Sequence, residues 1–103
     1  MERGTPGENG SERAGARIER LRQRYPGIRE DSEYFIYDLT DRDGNHIEAH
    51  TPKWEKIPLK LDASHTIQVP VADVIETELE LRHLYGRDDF SLADALRKAG
   101  RLP

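Results

Sequence analysis

Four short segments in the middle of the chain have the patterns of β-strands, and they limit the possible folds more than any other feature. The first is rich in aromatic and β-branched residues, and the other three alternate apolar and polar residues. The segments cover 33–39, 46–50, 57–61 and 66–69. Alternation with a period of two places successive side chains on opposite faces of a strand. The stretch 41–45 between the first two segments has the composition of a tight turn. The pattern therefore predicts a four-stranded antiparallel meander.

The two faces of the predicted sheet differ in polarity. An antiparallel sheet of this kind buries one face and leaves the other in water, so we expect helices to cover the apolar face. That face collects Phe35, Tyr37, Leu39, Ile47, Ala49, Ile57, Leu59, Leu61, Ile67 and Val69.

Apolar residues recur at helical spacing on both sides of the strands. The pattern predicts an N-terminal helix over 11–25 and a second helix over 71–85. The local alternation in 77–81 also permits a strand there. A third helix is predicted over 92–99, with Ser91 as its N-cap. The fold class predicted is α+β: a four-stranded antiparallel meander with an N-terminal helix and two C-terminal helices packed on one face.

Length and composition suit one small domain. Residues 1–10 are rich in glycine and have no large apolar residue after Met1, so we expect a disordered tail before a single domain over 11–103. The sequence has no cysteine, which excludes disulfides, thiolate metal sites and cysteine nucleophiles. It also lacks the apolar run of a signal peptide or a membrane span. We therefore expect a soluble, cytoplasmic protein that does not bind membranes.

Charge is distributed unevenly along the chain. The net charge is −4, yet the predicted N-terminal helix is rich in arginine. Four of these arginines advance by four, three and four residues, which places them along one side of the helix. Like charges at this spacing repel one another, and an acidic surface would relieve the repulsion. This ridge, which we expect to bind a partner, consists of Arg13, Arg17, Arg20 and Arg24.

The second predicted strand carries a set of potential metal ligands. His46, Glu48 and His50 would project from the same face, and two imidazoles with a carboxylate are the ligands of many zinc and iron sites. Same-face neighbours in a strand lie nearly 7 Å apart, at about 3.4 Å per residue, so one ion would rarely bind all three. A solvated polar face is the simpler interpretation, and we assign no metal or cofactor.

Two single residues stand out by their position. Trp54 lies in a polar loop between Lys53 and Glu55. Tryptophan at a surface is a frequent binding hot spot, and folding back over the sheet edge is the alternative. Glu78 lies on the apolar face of the second predicted helix, where a buried carboxylate would have a raised pKa and could act as an acid or base. A salt bridge or a snorkelling side chain is the structural alternative.

The C-terminal third of the chain combines a strand at 66–69, a helix at 71–85, a turn at Gly86 and a second helix. In this order of elements it resembles the ribbon-helix-helix family of dimeric DNA-binding repressors. The resemblance implies that alternate strand residues, here Thr66 and Gln68, read the major groove of DNA.

Sequence motifs for catalysis are missing: there is no G-x-S-x-G elbow, no phosphate-binding glycine loop and no H-E-x-x-H pair. We therefore expect a small non-catalytic accessory or regulatory protein. It would bind a protein partner, or a second copy of itself, through the arginine ridge and the Trp54 loop, with no small-molecule substrate. A nucleic-acid-binding regulator is the first alternative, and a metal-dependent enzyme using the His46 face is the second.

Overall fold

The structure, a computed structural model, describes the backbone of residues 10–102 and the side chains of residues 15–102. It confirms the predicted α+β class. The tail predicted over 1–10 lies outside the described residues except for Gly10, which begins the first helix. The elements in chain order are α1 (Gly10–Arg24), β1 (Arg29–Glu30), β2 (Tyr34–Thr40), β3 (His46–Pro52), β4 (Lys56–Asp62), β5 (His65–Pro70), α2 (Val71–Leu81), a 3₁₀ turn (Arg82–Leu84) and α3 (Leu92–Lys98).

The strands form two antiparallel ladders instead of one meander. One ladder has three strands in the order β1, β2, β3, and the other pairs β4 with β5. In the longest pairing, Tyr34 of β2 lies opposite Pro52 of β3 and Thr40 lies opposite His46. All four predicted strands are present, but the prediction that they form a single sheet is wrong between β3 and β4. The sequence pattern also did not predict β1, which has only two residues.

Each of the two ladders extends by one hydrogen bond into the connection between β3 and β4. In the connection from β3 to β4, the Lys53 amide donates to the Glu33 carbonyl at 3.0 Å. The Glu55 carbonyl accepts from the Val71 amide at 3.1 Å. The first bond continues the register of the Tyr34–Pro52 pair, and the second continues that of the Lys56–Pro70 pair. Pro58 has no N–H to donate, which suits β4 to a strand paired on one side only.

The predicted turn between β2 and β3 is present and is organised by Asp41. Its buried carboxylate accepts from the amides of Asp43 and Asn45, both at 2.9 Å. Gly44 has a φ of 85°, a conformation that costs glycine little. These contacts close the hairpin with the residues that the sequence indicated.

The predicted division of the strands into two faces is correct. Phe35, Tyr37 and Leu39 of β2 are buried, as is Val69 of β5. The apolar residues on the same side of β3 and β4 are half-buried, and most of the polar residues between them are exposed. The β4–β5 ladder is therefore less deeply covered than β2.

α2 is the centre of the core because it packs against both ladders. One side of α2 meets α1 and β2, and its other side meets β5 and α3. The first cluster contains Ile18, Leu21, Ile28, Phe35, Tyr37, Leu39, Val71, Ala72 and Ile75. The second contains Val69, Val74 and Leu96. Within the described residues, no helix is long and apolar enough to cross a membrane.

The two C-terminal helices begin and end largely as expected. α2 is helical through the stretch where a strand was the alternative, and its last predicted turn is a 3₁₀ turn over Arg82–Leu84. The Arg82 guanidinium closes that end by donating to the carbonyls of Tyr85 at 2.9 Å and Gly86 at 3.1 Å. At the start of α3 the Ser91 hydroxyl accepts from the Asp94 amide at 3.2 Å, so the predicted N-cap is confirmed.

Candidate functional site

An open groove of about 270 Å³ lies between α1 and the β3–β4 connection. Three buried core residues line it: Ile18 of α1, Phe35 of β2 and Val71 of α2. Trp54 of the connection also lines it and is 57% exposed. A large aromatic side chain therefore stands in solvent beside a part of the core that reaches the surface. We call this feature the Trp54 groove.

The backbone on both sides of Trp54 is held in place. The two hydrogen bonds that end the ladders, at Lys53 and at Glu55, flank the tryptophan directly. The Lys53 ammonium adds bonds to the Glu30 carboxylate at 2.9 Å and to the Asp31 carbonyl at 3.1 Å. The loop is thus fixed while the indole remains exposed, as expected for a tryptophan that does not fold back over the sheet edge.

Among the described residues that line the groove, carboxylates outnumber cations. Glu19, Glu30 and Glu55 line it together with one ammonium group, that of Lys53. Glu30 is compensated, because it accepts from both Lys53 and Arg22 and these contacts lower the pKa of its carboxyl. Glu19 lies 3.5 Å from Arg22 with its side chain 69% exposed. Within residues 15–102, Glu55 forms no ion pair, so negative charge is in excess beside Trp54.

α1 leaves room on its side of the groove. Gly15 lines the groove, and a Cβ at this position would meet no heavy atom within 4 Å. A side chain from another molecule could therefore approach α1 closely at this point.

The predicted arginine ridge turns mostly towards α2. Arg17 bonds to Asp73 and lies 3.7 Å from Glu76. Arg24 donates to Glu76 at 2.8 Å and to Glu80 at 3.3 Å. The acidic surface that would relieve the repulsion within the ridge is therefore found on the same chain, and these two arginines hold α1 against α2.

The other members of the ridge differ from this pair. Arg20 is exposed and forms no ion pair with any residue in 15–102. The side chain of Arg13 lies outside the described part of the chain. Arg22, which does not belong to the ridge, contacts Glu30 at the Trp54 groove. A partner-binding role for the ridge stays a prediction.

The polar face of β3 is occupied by ion pairs. Glu48 accepts from Arg29 of β1 at 3.3 Å and lies 3.5 Å from the His50 imidazole. Arg29 also donates to Asp38 at 3.1 Å. Over residues 15–102 no three histidines and carboxylates are arranged to hold a metal ion. Glu48 therefore contacts a guanidinium of β1, a strand that the sequence pattern did not predict. His46 does not take part in that contact.

Glu78 connects α2 to the three-stranded ladder. Its carboxylate accepts a hydrogen bond from the Tyr37 hydroxyl, whose oxygen lies 2.5 Å from Oγ1 of the buried Thr51. Burial raises the pKa of Glu78, opposed by the bond from Tyr37 and by the charge of Arg82. Burial also raises the pKa of Tyr37, and the nearby Glu78 adds to this shift. The carboxylate is satisfied by β2, which favours the structural interpretation of this residue.

The β4–β5 turn contains a serine, a histidine and an aspartate but not a catalytic triad. Ser64 Oγ and the Asp62 carboxylate both approach the same ring nitrogen of His65, Nδ1, at 3.3 and 3.0 Å. A catalytic histidine must receive the two groups on different nitrogens. The amides of Ser64 and His65 also donate to Asp62, at 2.8 and 2.9 Å, which identifies the arrangement as an exposed turn.

Comparison of the chain with protein-family models, with curated proteins and with solved structures finds no match. The geometry alone therefore has to indicate the function. Of the groove residues, sequence reasoning selected Trp54 and missed Gly15 and Glu19. Phe35 and Val71 were expected only as core residues, because nothing in their local pattern indicates that they also line a groove.

Proposed function

We propose that this protein is a small non-catalytic accessory protein that binds another protein through the Trp54 groove. The observation that carries the proposal is an exposed indole beside the buried Ile18, Phe35 and Val71. Tryptophan is enriched among the residues that dominate binding energy, particularly where it adjoins a pocket that water leaves on binding.

The size and shape of the groove favour a protein segment over a metabolite. Pockets for small molecules have volumes of roughly 300–1,000 Å³ and enclose most of the ligand. The Trp54 groove has about 270 Å³ and is open to solvent. It has room for one or two side chains of a partner whose remaining surface rests on α1 and the β3–β4 connection.

α1 contributes to this surface on its groove side. The contacts of Arg17 and Arg24 with α2 fix the position of the helix before any partner arrives. A binding surface that is already ordered loses less conformational entropy on association. These two arginines would thus support binding by positioning α1.

A peptide-display selection against the full chain tests the proposal. The sequence has one tryptophan, so a selected peptide that enters the groove should change the fluorescence of Trp54. In calorimetric titration, we expect Trp54→Ala to weaken such peptides by at least about thirtyfold, the loss typical of a hot spot. Leu84→Ala is the matched control, because Leu84 is 49% exposed and does not line the groove. Equal affinities for wild type and Trp54→Ala would contradict the proposal.

The two alternatives predict different results. A nucleic-acid binder should bind oligonucleotides with an affinity that falls steeply with salt and that drops in Arg20→Glu. Against this, the structure places acids next to Arg17 and Arg24. A metal-dependent enzyme should retain one equivalent of metal through dialysis and lose it in His46→Ala. Either result would replace the accessory function proposed here.

A further inference from the structure

We infer that the Trp54 groove takes a lysine or arginine side chain of the partner protein, seated against the indole of Trp54 and facing Glu55 and Glu19. This inference rests on the proposed function and adds the chemistry of the partner. It follows from the Glu55 carboxylate, which forms no ion pair within residues 15–102, and from the apolar residues that line the groove.

The cations near the groove already form ion pairs with Glu30 and Glu19. Lys53 is committed to Glu30 at 2.9 Å and to the Asp31 carbonyl at 3.1 Å. Arg22 is shared between Glu30 and Glu19. No ion pair of Glu55 is found in the described part of the chain. An incoming cation would therefore meet a carboxylate that is still available, next to the exposed aromatic ring.

The apolar lining suits the rest of a basic side chain. Lysine and arginine carry apolar methylene stems that bury well while the charged head stays near water. The stem can lie on Ile18 and Phe35, and the head can lie over the ring of Trp54, an arrangement that aromatic quadrupoles stabilise. An acidic side chain would be repelled by Glu19 and Glu55, and a neutral one would bring no cation to Glu55.

Four short peptides that differ at one position test the inference. The probes are acetylated and amidated Gly-Ser-Leu-Xaa-Leu-Ser-Gly, where Xaa is arginine, lysine, norleucine or glutamate. Binding to the ¹⁵N-labelled full chain is followed through the indole N–H signal of Trp54. We expect the arginine and lysine peptides to bind at least fivefold more tightly than the norleucine peptide, and the glutamate peptide to be the weakest.

Charge-neutralising variants identify the groups responsible. We expect Glu55→Gln to reduce the preference for arginine over norleucine severalfold while leaving the norleucine affinity unchanged. Asp88→Asn is the control, since it removes the same charge from an exposed position outside the groove. Gly15→Leu should weaken all four peptides by filling the groove, and Ala16→Leu, at an exposed position of α1 outside the groove lining, should not.

Each outcome decides a separate question. If norleucine and arginine peptides bind equally, and Trp54→Ala abolishes both, the inferred cation is wrong and the proposed function stands. If no probe and no selected peptide perturbs Trp54, the proposed function fails and the inference fails with it. If the free protein self-associates and Trp54→Ala prevents this, the occupant is a second copy of the chain and the inference is overturned.

Discussion

Replacing Tyr37 by phenylalanine tests how strongly α2 is tied to the sheet. The change keeps the buried ring and removes the hydroxyl that donates to Glu78 and lies 2.5 Å from Thr51 Oγ1. Hydrogen bonds to charged groups are worth roughly 1.5–3 kcal/mol, and a buried partner left unsatisfied loses the benefit without regaining water. We expect Tyr37→Phe to lower the free energy of unfolding by about 2 kcal/mol at neutral pH.

The contribution of Glu78 to stability should depend on pH, because burial raises the pKa of its carboxyl above the ordinary value of 4.5. A carboxyl whose pKa is raised by folding stabilises the fold fully below the unfolded pKa, and this contribution is lost as pH rises through the folded pKa. Glu78→Gln cannot ionise and still accepts from Tyr37. Its stability relative to wild type should therefore increase with pH from about 4.5 and level off above the folded pKa.

Urea unfolding followed by circular dichroism measures both variants, with extrapolation to water at several pH values. The loss in Tyr37→Phe corresponds to a drop of about 10 °C in midpoint temperature for a domain of this size. Thr51→Val is the control for the second partner and should cost less, because the Tyr37–Glu78 bond remains. A cost below about 0.5 kcal/mol for Tyr37→Phe, or a pH-independent effect of Glu78→Gln, would refute the reasoning.

Two further predictions concern the packing of the helices. Arg17→Glu places a carboxylate beside Asp73 and should lower the free energy of unfolding by about 1–2 kcal/mol in low salt. Arg20→Glu should stay within about 0.5 kcal/mol of wild type. Equal effects of the two variants in thermal unfolding would contradict the ion pairs of Arg17. Leu96→Ala removes a fully buried side chain and should cost roughly 2–5 kcal/mol. Leu84→Ala, at a 49% exposed position, should cost under about 0.5 kcal/mol in the same urea assay, and a similar loss in both would show that α3 is not packed as described.

Local pattern predicted the elements of this fold much better than their arrangement. Aromatic and β-branched composition identified β2, and the Ser91 cap identified the start of α3, because both signals arise within a few residues. The separation of β3 from β4 was not predicted, because it depends on which strands pair with β2 and β5, and those partners lie in other parts of the chain. Such contacts leave no periodic trace in the sequence.

The candidate site could likewise be predicted only in part. The sequence indicated the polar loop around Trp54, but it did not indicate the apolar base of the groove. Phe35 and Val71 read as ordinary core positions, and they are indeed 8% and 2% exposed. They become part of a site because they line one groove together with residues of α1 and of the β3–β4 connection. A groove of this kind is a property of packing and not of any one segment.

The arginine ridge illustrates what helical spacing can and cannot decide. Asp73, Glu76 and Glu80 advance by three and four residues, the same periodicity as the arginines of α1, so complementary ridges were present in the sequence. Spacing did not reveal that the two helices lie side by side. Once Arg17 and Arg24 face α2, Glu19 lies on a different side of α1 and lines the Trp54 groove. The basic helix thereby presents an acidic edge to the proposed partner, which reverses the sign of charge expected of that partner from composition alone.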